Sequence, residues 1–218
     1  MDELFRQRNK ALINYLKGAG FLKTEKIISA FENIPRHLFV SVDKAEYAYE
    51  DIALQTIGNS TISQPSTVAY MLEKLQPKEG ERVLELGTGS GWEACLLAYC
   101  VGSKGLVVTI EIEKDVAEFA KHNIAKMQFR NIIKVHGDGS VGYPDEAPYD
   151  KIIYTAAAPD VPKQMIMQLK NGGRLVAPVG TQFMQTLKII DKVSEKRLEE
   201  KEDAQFQFVP LKGLLGFQ

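Results

Sequence analysis

Cysteine, histidine and tryptophan are scarce here, at two, three and one of 218 residues, and each scarcity closes off a class of protein. Cys95 and Cys100 stand five apart in an apolar stretch of helical character, so they read as reduced core thiols and not as a disulfide. His37, His122 and His136 are scattered without ligand spacing, which leaves a dedicated metal site unsupported. Neither sign of charge is in excess, since 27 basic residues meet 28 acidic ones for a formal net charge of −1. That balance gives no electrostatic reason to expect nucleic acid or an anionic membrane as a partner. No apolar run reaches transmembrane length, and Met1-Asp2-Glu3 does not begin the basic-then-apolar pattern of a secretory signal. A cytoplasmic, monomeric protein without metal is the expectation.

What is present is an ordinary globular composition, 44% hydrophobic and 25% charged, at a length that suits one α/β domain with an extension. Leu4, Phe5, Ala11, Leu12 and Tyr15 recur at helical spacing, and Gly18 can stop that helix. A second helix is predicted after Thr24, with Ile27, Ile28 and Phe31 on one face, ending before Pro35. Residues 35–65 show little periodicity. The stretch holds Arg36, Tyr47, Tyr49, Gly58 and Thr61-Ile62-Ser63-Gln64-Pro65, and is too long for an idle connection, so a functional loop is expected. A third helix follows, with Val68, Met71, Leu72 and Leu75 as its stripe, and breaks at Pro77.

From Arg82 short apolar strands alternate with helices. Strands are predicted at 82–86, 106–111, 132–136, 151–155 and 174–179, with helices around 92–101, 114–127 and 162–169. Such alternation implies right-handed crossovers and a parallel sheet covered on both faces. Beyond Gly180, 185–193 and 204–211 read as two strands joined by a charged turn, hence an antiparallel pair. The prediction is a single α/β domain over 1–218. Residues 1–80 form the helical extension and substrate loop, and 81–218 a Rossmann-like, mostly parallel core.

The chemistry concentrates in Glu85-Leu86-Gly87-Thr88-Gly89-Ser90-Gly91, a strand running into a glycine-rich turn that opens a helix. Glycines there let backbone approach a nucleoside closely. The spacing is G-x-G-x-G, whereas the dinucleotide fingerprint is G-x-G-x-x-G. Glu85 would repel a pyrophosphate but suits an ammonium group. A second strand ends in Glu111, 20 residues after Gly91, where a carboxylate can accept hydrogen bonds from both ribose hydroxyls. Asp138, in His136-Gly137-Asp138-Gly139, is a candidate for the adenine amino group, although Asp-Gly also suits a capped surface turn. A ligand with a ribose, an amino acid end and no phosphate fits this set, which points to S-adenosyl-L-methionine.

Around that turn stand Arg36–Val40 (R-H-L-F-V), residues 57–65 (I-G-N-S-T-I-S-Q-P), 147–150 (A-P-Y-D), 155–159 (T-A-A-A-P), 168–180 (Q-L-K-N-G-G-R-L-V-A-P-V-G) and 208–211 (F-V-P-L). Together these strings resemble the protein-L-isoaspartate (D-aspartate) O-methyltransferase family, over most of the chain. The chain departs from the family at Asn59-Ser60, where Gly-Gln is usual, and at Ser41, where Val-Pro usually follows.

The resemblance implies methyl transfer from S-adenosylmethionine to the free carboxylate of L-isoaspartyl or D-aspartyl residues in damaged proteins. The ester then closes to a succinimide without enzyme, and hydrolysis returns some normal aspartate. It implies a class I methyltransferase sheet of order 3-2-1-4-5-7-6 with one antiparallel strand. The family's proposed active-site serine falls on Ser63, with Thr61 beside it as a further acceptor-binding residue. The expected cofactor set is Ile62, Ser63, Glu85, Gly87, Thr88 and Gly89, together with Gly91, Glu111, Ile112, Asp138 and Gly139. A carboxylate is already ionised at neutral pH, so no general base is needed, and none stands out. Ser63 would orient the acceptor, unless Thr61 and Ser63 simply cap the helix after Pro65. Trp92 is expected to pack under the glycine turn. A methyltransferase for small molecules or RNA, and a cofactor-binding module without catalysis, are the competing readings; the balanced charge speaks against RNA.

Overall fold

In the computed structural model, which describes residues 3–217, the chain opens with α1 (Glu3–Gly18) and α2 (Glu25–Asn33). α1 buries Leu12, Ile13 and Leu16, and α2 buries Ile27, Ile28 and Phe31, the spacing of single helix faces. Gly18 lies inside the last turn of α1. The left-handed residue beyond it is Gly20, at φ +79°, and the Phe21 and Leu22 N–H groups return to the Leu16 carbonyl. Thr24 precedes α2 as expected, yet its hydroxyl does not cap the helix. The partner is Glu73 on α3 (Pro65–Leu75). One Glu73 oxygen accepts the Lys23 and Thr24 N–H groups, and the other accepts the Thr24 hydroxyl.

Between α2 and α3 lie two short 3₁₀ turns, Arg36–Phe39 and Val42–Tyr47, and a small hairpin of β1 (Leu54–Gln55) with β2 (Thr61–Ile62). The main sheet then begins with β3 (Arg82–Leu86), β4 (Leu106–Glu111) and β5 (Ile132–His136). It continues with β6 (Tyr149–Tyr154), β7 (Leu169–Gly180), β8 (Gln185–Ser194) and β9 (Arg197–Phe206). Helices α4 (Trp92–Val101), α5 (Lys114–Ala125) and α6 (Lys163–Gln168) fall between strands. The order is β5-β4-β3-β6-β7-β8-β9. β3 to β7 pair in parallel, β8 runs antiparallel to β7, and β9 antiparallel to β8. Alternation along β3 divides two cores, with Val83 packed among α1 to α4 and Leu84 and Leu86 on the opposite face.

The α/β class, the N-terminal helices and the antiparallel C-terminal strands agree with the sequence reading. Two details do not. The order implied by the resemblance ends 5-7-6, whereas the last two strands here follow in chain order. Only Glu195 and Lys196 separate β8 from β9. So short a link can only make a hairpin neighbour, whereas a strand inserted elsewhere needs a crossover. The last strand is also Arg197–Phe206, not 204–211. Its charged stretch, expected as a turn, is itself the strand. At a sheet edge both faces meet solvent, so pairing rests on the backbone and charges are tolerated.

The chain visits β4 and β5 on one side of β3, then returns past it to β6. The strand order thus reverses beside β3, and an open sheet offers its ligand crevice outside the carboxyl ends at such a point. Replacing Glu73 by alanine is expected to lower the unfolding free energy by about 1.5–3 kcal/mol in urea titration, against about 1 kcal/mol or less for Thr24→Ala. Equal losses would show that the hydroxyl, not the carboxylate, secures the start of α2.

Candidate active site

Outside the carboxyl ends of β3, β4 and β6 lies a cavity of about 940 Å³, the size of a small-ligand site. The turn after β3, the end of β4, the segment around β2 and the stretch Gln207 to Lys212 all line it. Gly87 sits at φ +97°, and a Cβ there would fall 2.6 Å from the Thr155 hydroxyl oxygen. That hydroxyl donates to the Leu86 and Gly87 carbonyls, fastening the turn to the end of β6. Gly91 is required for a different reason. At φ +85° its Cβ would meet Ile124 of α5 at 2.8 Å, so it admits the neighbouring helix from behind the cavity. Thr88 and Gly89 line the cavity; Gly91 is not among its lining residues.

Glu111 is held from both sides. One oxygen accepts the Gly89 N–H at 3.0 Å and the other the Glu113 N–H at 3.1 Å. A carboxylate offers about four acceptor positions, so two stay open toward the cavity that Glu111 and Ile112 line. Asp138 is engaged elsewhere. Its Oδ1 accepts the Ser140 N–H and hydroxyl, and its Oδ2 accepts the Leu214 N–H. Asp138 thereby ties down the C-terminal stretch, and its neighbour Gly139 is the residue that lines the cavity.

The wall formed by residues 57–64 rests on a buried cation that sequence reasoning noted only as part of a motif. Arg36 is fully buried. Its Nη1 donates to the Ala48 carbonyl at 2.7 Å, and its Nη2 to Ile52 at 2.9 Å and Ser63 at 3.0 Å. The guanidinium also lies 5.4 Å from the Trp92 ring centre. Trp92 is buried, packs edge-on to Phe31 and donates its Nε1–H to the Ile34 carbonyl. Thr61, Ile62 and Ser63 reach the cavity together with Ser60. Neither Thr61 nor Ser63 caps α3: the Asp51 carboxylate does so, accepting the Ser66 N–H and the Gln64 side-chain amide. Tyr47 and Tyr49 lie away from this cavity and line a smaller one beside Arg8.

Sequence reasoning also missed Glu93, which lines the cavity next to Glu85. A signal existed: Glu93 is the one charged residue in the helix W-E-A-C-L-L-A-Y-C-V. Glu85 is buried, and its Oε2 accepts only the Thr109 hydroxyl, which bonds in turn to Thr88. The Oε1 atoms of Glu85 and Glu93 are buried without a partner. Burial first, and the charge of Glu93 second, raise Glu85 well above the usual carboxylate range, against the Thr109 hydrogen bond. Burial pushes Glu93 up to about 8. Among the described residues, no three His, Cys, Asp or Glu side chains gather as metal ligands would.

Comparison with known proteins places this geometry. A family model described as protein-L-isoaspartate(D-aspartate) O-methyltransferase matches residues 7–215. A protein-L-isoaspartate O-methyltransferase of Methanopyrus kandleri is 41% identical over 218 residues, covering 100% of this chain and 96% of that one. A solved protein-L-isoaspartate O-methyltransferase superposes with a TM-score of 0.87 at 35% identity, over 95% of this chain and 67% of its own. A Plasmodium falciparum protein of that description, crystallised with S-adenosyl-L-homocysteine, shares the fold at a TM-score of 0.83 and 23% identity, over 94% of this chain and 98% of its own.

The buried carboxyls carry a consequence for stability. Between the ordinary value of 4.5 and about 8, the folded protein keeps a proton that the unfolded chain has released. Stability therefore falls as pH rises through that window. Thermal unfolding of the ligand-free protein from about pH 5 to about pH 8.5 is expected to show the fall, at most about 1.4 kcal/mol per pH unit for one proton. Glu93→Gln should reduce it, leaving the part that burial of Glu85 supplies. The same slope in both proteins would remove Glu93 as its source.

Proposed function

The chain belongs to the protein-L-isoaspartate(D-aspartate) O-methyltransferase family, and we propose that the cavity performs that family's reaction with the residues named below. The enzyme transfers a methyl group from S-adenosylmethionine to the free carboxylate of L-isoaspartyl, or D-aspartyl, residues in damaged proteins and peptides. The observation that carries this reading is that Thr61-Ile62-Ser63 and the glycine turn, distant in sequence, line one cavity.

The residues present fit the cofactor. The turn would be obstructed by a Cβ at Gly87, Glu111 keeps acceptor positions for two hydroxyls, and unpartnered oxygens on Glu85 and Glu93 await a cation. We assign Glu111 to the ribose, Glu85 to the ammonium end, and Ile62, Ile112 and Gly139 to contacts along the nucleoside. Asp138 serves by fixing the loop that carries Gly139, a narrower role than direct adenine recognition. When bound, the cofactor supplies a sulfonium methyl group for displacement by a carboxylate oxygen, with the C–S electrons remaining on sulfur.

The acceptor arrives ionised, so the protein has no proton to remove and its task is alignment. Fixing two reactants in line can account for about 7–11 kcal/mol of barrier. Ser63 donates the hydrogen bond that orients the acceptor oxygen, with Thr61 beside it, and Arg36 holds the Ser63 backbone in place. We read the chain as one unit, with residues 1–80 supplying the acceptor wall and 81–218 the donor site. Two buried free thiols are in keeping with a reducing, cytoplasmic setting. Among the described residues no helix is long and apolar enough to cross a membrane.

Incubation with methyl-labelled S-adenosylmethionine should yield base-labile label, released as methanol, from an isoaspartyl peptide but not from its normal aspartyl counterpart. Cofactor binding without transfer would overturn the activity. In the same assay Ser63→Ala is expected to lower kcat/KM for the peptide about tenfold or more, with the cofactor Kd changed less than about twofold. Unchanged turnover would remove Ser63 from the mechanism.

A further inference from the structure

We propose that Glu85 and Glu93 form a proton-sharing carboxyl pair that receives the cationic, methionine end of the cofactor, so that cofactor binding expels a proton from the cavity. The inference deepens the functional reading above and rests on it.

The geometry begins with alternation along β3. Val83 faces the core that holds α4, so Glu85, two residues on, faces the same way. Glu93 stands in the first turn of α4. Both side chains are more than nine-tenths buried, at 0% and 8% exposure, and both line the cavity. Each keeps a buried oxygen with no hydrogen-bond partner. A buried polar atom left unpartnered is costly, and two such atoms on adjacent acids mark a place that a donor cation would complete.

The charges around the pair favour the same ligand. The cavity is lined by Glu85, Glu93, Glu111, Glu113 and Asp115, against Lys212 alone among cations. Lys212 is itself paired with Glu113 at 2.7 Å. The groups facing the pair from its neighbours are Thr109 and Glu111 of β4 and Cys95 on α4. Gln64, Thr67 and Val68, from the segment leading into α3 and its first turn, are uncharged. Arg36, across Trp92, donates from Nη1 and Nη2 to carbonyls, while its Nε is buried without a partner. Among the described residues, no fixed cation therefore neutralises the two acids.

Two carboxyls buried together share a proton, because ionising both leaves like charges in a medium that screens them poorly. An arriving ammonium or sulfonium group replaces that proton as the countercharge. The carboxyl O–H bond breaks, its electron pair stays on oxygen, and the proton leaves to solvent. Nothing is oxidised or reduced. Because binding releases a proton, cofactor affinity rises with pH while the free pair remains protonated.

Isothermal titration of the full-length protein with S-adenosylmethionine, in phosphate and in Tris near pH 7, reads the proton directly. The wild-type protein is expected to release a net proton fraction approaching one, with Kd tightening up to about tenfold from pH 6 to pH 7. Glu93→Gln should release measurably less and flatten the Kd profile in part, since burial alone still holds a proton on Glu85. The cofactor's own amine titrates alike with either protein, so the difference isolates the pair. Glu85→Gln is the second variant, and the wild-type measurement stands even if neither variant folds. Binding without proton release, or release undiminished in Glu93→Gln, would overturn the pair while leaving the methyltransferase reading intact. Failure to bind the cofactor at any pH would overturn both.

Discussion

The segment that walls one side of the cavity, proposed above as the acceptor side, depends on one buried guanidinium. Among the described residues Arg36 has no carboxylate in hydrogen-bond contact; its Nη1 and Nη2 are solvated by the carbonyls of Ala48, Ile52 and Ser63. Burial pulls its pKa down to about 9, with Asp51 and then Tyr49 opposing the fall. A buried charge is tolerated only when the surrounding dipoles are fixed upon it. The segment must therefore wrap around the cation, and a stretch with no periodicity of its own acquires one conformation. Its 27-residue reach from Arg36 to Ser63 is what brings the acceptor residues to the end of the sheet. Trp92, against which the guanidinium lies, belongs to the helix that the glycine turn opens, so the same contact joins the acceptor wall to the donor site.

The donor site is built on opposite principles. Parallel strands buried on both faces fix the ends of β3, β4 and β6, and the glycine turn takes its shape from packing against Thr155 and Ile124. On this rigid edge the carboxylates divide by environment. Glu111 is satisfied by two backbone N–H groups and keeps acceptor positions for neutral hydroxyls. Glu85 and Glu93 each keep a buried oxygen without a partner, which is the ground for the proposal that a cation completes them. Alignment of an already ionised acceptor with a held donor needs no acid or base, which is why scarce histidine is no handicap.

The sheet was legible because buried parallel strands are apolar runs separated by helices, and the glycine turn because close backbone approach restricts residue choice. The resemblance of the T-I-S stretch to a known family marked Ser63, where periodicity was silent. What escaped the sequence was long-range polar pairing. Thr24 has the residue type of a helix cap, yet its hydroxyl and N–H are held by Glu73 from 49 residues away. Asp51, not Ser63, caps α3. Asp138 accepts the Leu214 N–H from the C-terminal stretch, a tie that nothing in the local sequence announces. The charge of Arg197–Phe206 concealed an edge strand, since pairing there rests on backbone groups that carry no side-chain signature.

Two separately built halves, a sheet edge proposed for the donor and an Arg36-centred segment proposed for the acceptor, meet in one cavity. Replacing Arg36 with lysine, which has a single donor centre in place of the fork, loosens the second half more than the first. Measuring kcat/KM for an isoaspartyl peptide beside the Kd of S-adenosyl-L-homocysteine tests this directly. The account predicts that kcat/KM falls at least about tenfold while the Kd changes less than about threefold. Losses of equal size in both, or no loss in either, would contradict it.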